Sequence, residues 1–217
     1  MQYYRLLNHD YANIPKKIFI KKSFKQSYID CYELDIFRIK YSKMDNLVNF
    51  FSVDGLKLCC KKITVLPESI GQLSNLQILS LDYNQITVLP ESIGQLSNLQ
   101  YLSLNNNQIT VLPESIGQLS NLQQLWLNNN QITVLSESIG QLSNLQYLWL
   151  NDNQIIMLLD SIGQLSNLQF LSLNNNQITV LPESIGQLSN LQQLLLGNQI
   201  TVLPESIKQL INCNIYR

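Results

Sequence analysis

Apolar residues recur along most of this chain with a fixed period of 23 residues. In the unit from Ile86 to Gln108 they stand at Ile86, Leu89, Ile93, Leu96, Leu99, Leu102 and Leu104. The nine letters SIGQLSNLQ occur six times verbatim, first at Ser69 and last at Ser184. A fixed period in this range indicates a solenoid, in which each unit is too small to bury its apolar side alone.

Each unit predicts one short strand and one short helical segment. The alternation through Leu102 and Leu104 has period two and predicts a strand. Pro90, followed by Glu91, Ser92 and Ile93, predicts one or two helical turns that open with proline. One acid stands at this place in every unit, where a helix end favours negative charge. These acids are Glu68, Glu91, Glu114, Glu137, Asp160, Glu183 and Glu205. We interpret them as structural and not as a ladder of metal ligands.

Asparagine recurs at one place after each predicted strand. The column consists of Asn84, Asn107, Asn130, Asn153, Asn176 and Asn198. Because an amide side chain both donates and accepts, we expect each one to satisfy backbone groups left open by the turn. Lys61 takes this place in the first, degenerate unit. The unit from Ile178 to Gln199 is one residue short, and we expect Gly197 to let its turn close.

These patterns resemble the leucine-rich repeat family. Its signature LxxLxLxxNxL is present as Leu99, Leu102, Leu104, Asn107 and Ile109, and the extension LPxxIxxLxxL adds Pro90, Ile93 and Leu96. The extension is similar to the intracellular 23-residue class found in Ras-pathway scaffolds and plant intracellular relatives. The resemblance covers residues 47–217. It implies an α/β fold: a curved horseshoe solenoid with a concave parallel β-sheet and short helical or 3-10 turns on the convex side. It also implies a surface used to bind proteins.

Two regions differ in charge and in regularity. We interpret residues 47–217 as the solenoid, with about six regular repeats and degenerate terminal units, and residues 1–46 as a basic N-terminal segment. Positions 1–62 hold 12 of the 14 basic residues and six acids, whereas positions 63–217 hold two basic residues and nine acids. The stretch PKKIFIKKSFK predicts either a cap over the first open end of the solenoid or a contact with nucleic acid or an anionic membrane.

The cysteines and the N-terminus favour a cytoplasmic protein. Cys31, Cys59, Cys60 and Cys213 form no CxxC pair, and adjacent Cys59 and Cys60 would point to opposite faces of a strand. We therefore expect four free thiols in a reducing compartment. The first residues, MQYYRLLNHDY, lack the apolar core of a signal peptide, and no apolar run reaches transmembrane length.

We expect no catalytic set, no cofactor and no metal site. His9 is the single histidine and lies outside the repeats. The repeated serines therefore have no histidine to activate them. Gly71 and Gly94 occur singly and do not form a phosphate-binding glycine loop. The sequence thus argues against an enzyme.

Most differences between the repeats fall on strand residues that should face the concave surface. Candidate protein-binding residues there are Ile78, Asp82, Tyr101, Trp126, Tyr147, Trp149, Asp152 and Phe170. Equivalent residues of parallel strands stack in columns about 4.8 Å apart. Trp126 and Trp149 should therefore be neighbours, as should Tyr147 and Phe170. The hypothesis is an aromatic face that binds a protein partner, since Trp and Tyr are common interface anchors. The alternative is an aromatic ladder that only stabilises the sheet.

Other partner hypotheses remain open from the sequence. In one alternative, the basic N-terminal segment contacts nucleic acid or an anionic membrane and the solenoid is a spacer; we do not expect nucleic acid on the solenoid itself. In another, the array is recently duplicated and has no selected partner. A last strand is expected near Cys213, Ile215 and Tyr216. Its open edge would allow self-association through the C-terminal end.

Overall fold

The repeats build a single parallel sheet, with one strand from each repeat. The computed structural model of the chain describes residues 54–197, 200 and 202–216. The strands are β1 (Gly55–Lys57), β2 (Ile78–Ser80), β3 (Tyr101–Ser103), β4 (Gln124–Trp126), β5 (Tyr147–Trp149), β6 (Phe170–Ser172), β7 (Gln193–Leu195) and β8 (Asn214–Tyr216). They pair in sequence order from β1 to β8, and every pair is parallel. The expected curved solenoid with a parallel sheet on its concave face is confirmed.

A short 3-10 helix follows each of the first seven strands and lies on the convex side. These helices are Glu68–Gln72, Glu91–Gln95, Glu114–Gln118, Glu137–Gln141, Asp160–Gln164, Glu183–Gln187 and Glu205–Gln209. The predicted turns open one residue later than expected. Pro90, for example, precedes its helix in an extended conformation (φ −71°, ψ 152°), and Glu91 is the first helical residue.

The core is one continuous column of leucine and isoleucine. In the unit that starts at Ile86, all seven predicted apolar positions are at most 3% exposed. Leu56, Leu58 and Ile63 of the degenerate first unit are buried in the same way, at 5%, 0% and 2% exposed. The repeat therefore extends in structure one unit beyond the repeated letters, as the hydrophobic spacing predicted.

Glycine is required where successive 3-10 helices pack against each other. A Cβ atom on Gly94 would lie 2.5 Å from the backbone oxygen of Ser115 in the next repeat. This is closer than a carbon and an oxygen can approach without moving the chain. The helices can therefore pack at this distance only because the position has no side chain.

The asparagine column satisfies the backbone of the turns, as predicted. Nδ2 of Asn107 donates to the carbonyl oxygens of Leu81 and Leu104, both at 3.0 Å, and its Oδ1 accepts from the N–H of Ile86 at 3.0 Å. The same pattern recurs at Asn84, Asn130, Asn153 and Asn176. Each asparagine thus bridges two repeats at a buried turn.

The residue before each column asparagine has a left-handed backbone. The φ angles of Cys60, Tyr83, Asn106, Asn129, Asp152 and Asn175 lie between 54° and 59°. In the short repeat Gly197 has φ +36°, and a Cβ there would lie 2.8 Å from Oδ1 of Asn174. Gly197 therefore has the left-handed conformation expected of it, while the next two residues of the shortened turn lie outside the described residues.

The repeated acids connect neighbouring repeats. Oε2 of Glu68 accepts from the N–H of Ser92 at 3.2 Å, and Glu91 and Glu183 bond Ser115 and Ser206 in the same way at 3.2 and 3.1 Å. Each of these carboxylates therefore caps the helix of the following repeat and not only its own. The sequence predicted a structural role but not this partner.

The last unit continues the sheet but is less covered. The expected final strand is present as β8, whose neighbour among the described residues is β7. Leu203 and Ile207 pack against the core but are only partly buried, whereas their counterparts Leu181 and Ile185 are 2% and 0% exposed. The predictions for the segment 1–46, for His9 and Cys31, and for Asn198 lie outside the described residues.

Candidate functional site

The concave surface is built from the first and third residues of the strands. The middle residue of each strand from β2 to β7 is a leucine with 0% exposure, so its two neighbours point to the opposite face of the sheet. On β2 to β7 these outward pairs are Ile78 and Ser80, Tyr101 and Ser103, Gln124 and Trp126, Tyr147 and Trp149, Phe170 and Ser172, and Gln193 and Leu195.

The structure places all eight candidate residues on this face or at its edge, and each is partly exposed. Ile78, Tyr101, Tyr147 and Phe170 are first residues of their strands, and Trp126 and Trp149 are third residues. Asp82 and Asp152 lie two and three residues beyond β2 and β5, at the carboxyl edge of the sheet.

Four rings form a continuous row, which we name the aromatic ladder: Tyr101, Trp126, Trp149 and Phe170. The ring centroids are 5.3 Å apart for Tyr101 and Trp126, 6.0 Å for Trp126 and Trp149, and 4.1 Å for Trp149 and Phe170. Distances in this range are typical of favourable aromatic pairs, which contribute about 0.5–1.5 kcal/mol each beyond the area they bury. The contacts between neighbouring rings therefore stabilise the ladder.

The ladder does not follow a single column of the sheet: its two central rings are at third strand positions and its two outer rings at first positions. Trp126 and Trp149 are register partners, as predicted from the sequence. The two outer contacts instead join the third position of one strand to the first position of its neighbour. Trp126 thus meets Tyr101 of β3, and Trp149 meets Phe170 of β6. The tryptophans lean away from each other towards the two ends of the ladder.

This arrangement removes two serines from the surface. Ser103 and Ser172 are register partners of Trp126 and Trp149, and they are 0% and 1% exposed. Both face the concave side, as the alternation of the strands predicts, but the sequence did not predict their burial. A small residue beside a large leaning ring is covered by it, so the rings and not the hydroxyls form the accessible part of the face.

Tyr147 and Ile78 extend the apolar face beside the ladder. Tyr147 is the register partner of Phe170, as predicted, and its hydroxyl donates to Oε1 of Gln169 over 3.5 Å. Ile78 is the register partner of Tyr101 on the neighbouring strand. The face therefore stays apolar at the Tyr101 end of the row, whereas beyond Phe170 the register partner is the exposed, polar Gln193.

Trp126 carries a buried polar group without a partner. Its Nε1 is shielded from solvent and has no hydrogen-bond acceptor among the described residues. An unsatisfied buried donor costs about 1–3 kcal/mol. The ladder therefore contains one buried donor whose hydrogen-bonding capacity is not satisfied within the described residues.

Asp82 is the centre of a hydrogen-bond network at the carboxyl edge of the sheet. Its carboxylate accepts from the hydroxyls of Ser80 and Ser103 and from the N–H of Asn105, the last at 2.8 Å. Burial, and then the Asp82 charge, raise the pKa of Tyr101 above its usual value, although the Ser103 hydroxyl opposes the shift. Tyr101 therefore stays an uncharged phenol at neutral pH.

Cys59 belongs to the same network. Its Sγ lies 3.2 Å from Oγ of Ser80. Burial raises the pKa of this thiol. Cys59 is consequently a neutral thiol at physiological pH and not an activated nucleophile.

Asp152 lies just before a column asparagine and has the left-handed backbone of that position. Its carboxylate accepts from two side-chain amides. Nδ2 of Asn151 donates to one oxygen at 2.6 Å, and Nδ2 of Asn175 in the next repeat donates to the other at 2.8 Å. Both candidate acids thus organise the carboxyl edge of the sheet, in addition to any contact they make with a partner.

The outward positions of β2 to β7 carry no charged residue. They are aromatic, aliphatic, serine or glutamine, while the exposed acids of the repeats lie at the 3-10 helices. A face of this composition desolvates at low cost but offers no counter-charge to an ion. Its chemistry favours an uncharged, largely apolar ligand surface.

A second row of polar side chains, which was not recognised in the sequence, links the repeats at the strand ends. Oδ1 of Asn105 accepts from the N–H of Asn128 at 2.9 Å, and Oδ1 of Asn128 accepts from the N–H of Asn151 at 3.2 Å. Asp82 has the same role towards Asn105. The signal was present, because these residues recur with the same 23-residue period as the column that was recognised.

Other site types were sought in the described part of the chain. Its cysteines Cys59, Cys60 and Cys213 are free, and it holds no group of three or more His, Cys, Asp or Glu residues arranged to bind a metal ion.

The helices of the described residues are 3-10 segments of five residues each. None of them has both the length and the apolar content needed to span a lipid bilayer.

Comparison with known proteins agrees with the geometry of the repeats. A family model described as a leucine-rich repeat region matches residues 33–131, 93–158 and 136–213. Among curated proteins, none matches the sequence significantly.

Two solved structures illustrate the likeness. A leucine-rich repeat protein of Leptospira interrogans is 38% identical, with a TM-score of 0.58, over 79% of this chain and 57% of that one. An internalin (inlF) of Listeria monocytogenes is 26% identical, with a TM-score of 0.57, over 78% of this chain and 55% of that one. The chain thus spans little more than half the length of either protein.

Proposed function

Because this chain belongs to the leucine-rich repeat family, we propose that it is a non-catalytic protein-binding module whose partner docks on the aromatic ladder. The family is commonly used for protein interaction, which gives the general class of function. The specific surface rests on one observation: the four contacting rings lie on a partly exposed face without charged strand residues.

The composition of the ladder supports a role in binding. Tryptophan and tyrosine are enriched among the residues that dominate interface energetics, especially where they cluster near the centre of a patch. Here the two tryptophans occupy the middle of the row, on β4 and β5, and Tyr101 and Phe170 flank them. The rings restrain one another, so little side-chain freedom is lost when a partner binds.

A second exposed apolar feature competes with the ladder. In five repeats, the loop before the 3-10 helix carries an exposed valine. Val65, Val88, Val111, Val180 and Val202 are between 46% and 72% exposed. These side chains belong to the copied letters of the repeat and have the same chemistry throughout. A uniform row carries less information for selecting a partner than the varied concave face.

The test is affinity capture from a lysate of the source organism with Trp126→Ser/Trp149→Ser. Serine is suitable because Ser80, Ser103 and Ser172 occupy the same place on other strands, so the framework accepts it. We expect at least about a tenfold loss of captured partner, as for truncated anchor residues. The circular-dichroism spectrum should be unchanged.

The matched control is Tyr83→Asn, which removes an exposed aromatic residue outside the ladder. Tyr83 is 63% exposed and has φ 56°, and asparagine occupies the same left-handed position as Asn106, Asn129 and Asn175. Capture by this variant should equal that of the wild type. If the double tryptophan variant instead retains the partner, the ladder only stabilises the sheet and the proposal fails.

A further inference from the structure

We propose that the ligand of the aromatic ladder is an uncharged, proline-rich segment in the polyproline II conformation. This inference rests on the proposed function, because it names the chemistry of the partner that would dock on the same four rings.

The first argument concerns charge. No strand residue of the concave face from β2 to β7 is charged, and the carboxylates of Asp82 and Asp152 are already held by neighbouring hydroxyl, amide and backbone groups. A charged side chain placed over the rings would lose its hydration, and the strand positions that carry the rings offer it no counter-charge. The ladder therefore selects against charged segments.

The second argument concerns the backbone of the ligand. The strands that carry the ladder use their backbone groups to pair with each other along β3 to β6. A peptide lying across the rings finds no sheet edge to pair with, so its buried N–H groups would stay unsatisfied. Proline has no N–H, and the polyproline II helix needs no internal hydrogen bonds. Such a segment is therefore desolvated at the lowest cost.

The third argument concerns hydrogen bonding. Nε1 of Trp126 is a donor without an acceptor among the described residues. A polyproline segment offers only backbone carbonyl acceptors, which are complementary to this donor. Because Nε1 is shielded from solvent in this structure, this bond forms only if the indole rotates when the ligand docks. Recognition of polyproline helices by aromatic-lined grooves follows the same physical scheme.

The dimensions set the length of the segment. From Tyr101 to Phe170 the ladder crosses three strand spacings, or about 14 Å. A polyproline II helix rises about 3.1 Å per residue. Four to five residues therefore cover the ladder, and additional prolines would extend beyond the rings.

The experiment measures fluorescence anisotropy of fluorescein-labelled oligoprolines with three, six and twelve residues. We expect hexaproline to bind at least about tenfold more tightly than triproline, since triproline covers only part of the ladder. Dodecaproline should bind within about threefold of hexaproline. A hexamer with glutamate or lysine at alternate positions should bind at least about tenfold more weakly than hexaproline.

Variants assign the binding to the ladder. Trp126→Ser/Trp149→Ser should reduce hexaproline affinity at least about tenfold, and Tyr83→Asn should leave it within twofold, about the error of such a comparison. The inference is overturned if hexaproline does not saturate by about 1 mM, or if the double variant binds it equally. It is also overturned if cellohexaose, a flat uncharged sugar chain, binds the ladder in its place.

The two proposals can fail separately. If oligoproline does not bind while partner capture still depends on the two tryptophans, the ladder is a binding surface for a different chemistry. If neither oligoproline binding nor partner capture depends on the tryptophans, both proposals are wrong.

Discussion

The convex and concave sides of this solenoid have the same period but opposite patterns of variation. On the convex side the letters SIGQLSNLQ are copied verbatim in six repeats. On the concave side the third strand position alone is serine at Ser80, Ser103 and Ser172, tryptophan at Trp126 and Trp149, and leucine at Leu195.

Packing explains why one side is uniform. A Cβ on Gly94 would meet the next repeat at 2.5 Å, and the same closeness recurs at Gly71, Gly117, Gly140, Gly163 and Gly186. Concave positions have no such constraint, because a serine and a tryptophan are accommodated side by side in register at Ser103 and Trp126. The comparison separates residues that determine the fold from residues that are free to determine a partner.

The largest expected effect comes from breaking the framework at Asn130. Leucine at this position leaves the N–H of Ile109 without its acceptor. The carbonyls of Leu104 and Leu127 each lose one of two amide donors, but they still accept from Asn107 and Asn153. An unsatisfied buried group costs about 1–3 kcal/mol, so we expect Asn130→Leu to lower the free energy of unfolding by about 1–3 kcal/mol. Urea unfolding followed by circular dichroism measures it.

Gln131→Ala is the control for that experiment, because the neighbouring glutamine is exposed. Its free energy of unfolding should stay within about 0.5 kcal/mol of the wild type. A loss below about 1 kcal/mol for Asn130→Leu would show that the turns do not depend on this column.

A smaller effect on stability is expected at Gly197, which lies in the repeat that is one residue shorter than the others. Valine would be forced into φ +36° and against the Asn174 side chain. A left-handed backbone costs a residue with a Cβ about 1–2 kcal/mol. Gly197→Val should therefore lower the melting temperature by about 3–6 °C. Gly197→Asn, which tolerates this conformation better, should lower it less; equal losses would argue against backbone strain.

Ser136 replaces the proline that precedes most of the helices. Its Oγ accepts from the N–H of Ser138 at 3.1 Å. Removing such a cap costs about 1 kcal/mol, which we expect for Ser136→Ala in urea unfolding. Ser136→Pro restores the residue of the other repeats and should stay within about 0.5 kcal/mol of the wild type. If Ser136→Pro lowered the free energy of unfolding as much as Ser136→Ala, serine and proline would not be equivalent at this position.

The smallest effect concerns the titration of Tyr101. Burial and the Asp82 charge raise its pKa, so the folded protein retains this proton to higher pH than the unfolded chain does. This contribution to stability is complete below the unfolded pKa of about 10 and is lost as the pH rises above it. Carbon-13 NMR of labelled tyrosine Cζ should show Tyr101 titrating above a free tyrosine, and Asp82→Asn should reduce the difference.

Much of the fold could be predicted because a period fixes both spacing and burial. The strands β1 to β7, the asparagine turns and the first degenerate unit follow from apolar and amide positions 23 residues apart. The last strand was expected near Ile215, although Ile215 lies only 21 residues after its partner Leu194. The bond from Glu68 to Ser92 could not be predicted, because it depends on how closely one repeat lies on the next.

The candidate site was predictable only in part, for a related reason. Register placed Trp126 beside Trp149, but it could not show that each indole leans towards the outer strands. Side-chain direction depends on rotamers and neighbours, which spacing does not specify. The burial of Ser103 and Ser172 follows from that choice and was therefore missed as well.

The most direct test measures stability and binding on the same variant, Trp126→Ser/Trp149→Ser. Three lost aromatic contacts should lower the free energy of unfolding by about 1.5–4.5 kcal/mol, while captured partner falls at least about tenfold. Asn130→Leu, compared below its unfolding midpoint, should also lose stability but should retain partner capture. Capture that survives removal of both tryptophans would contradict the account, because the varied face would then carry no recognition.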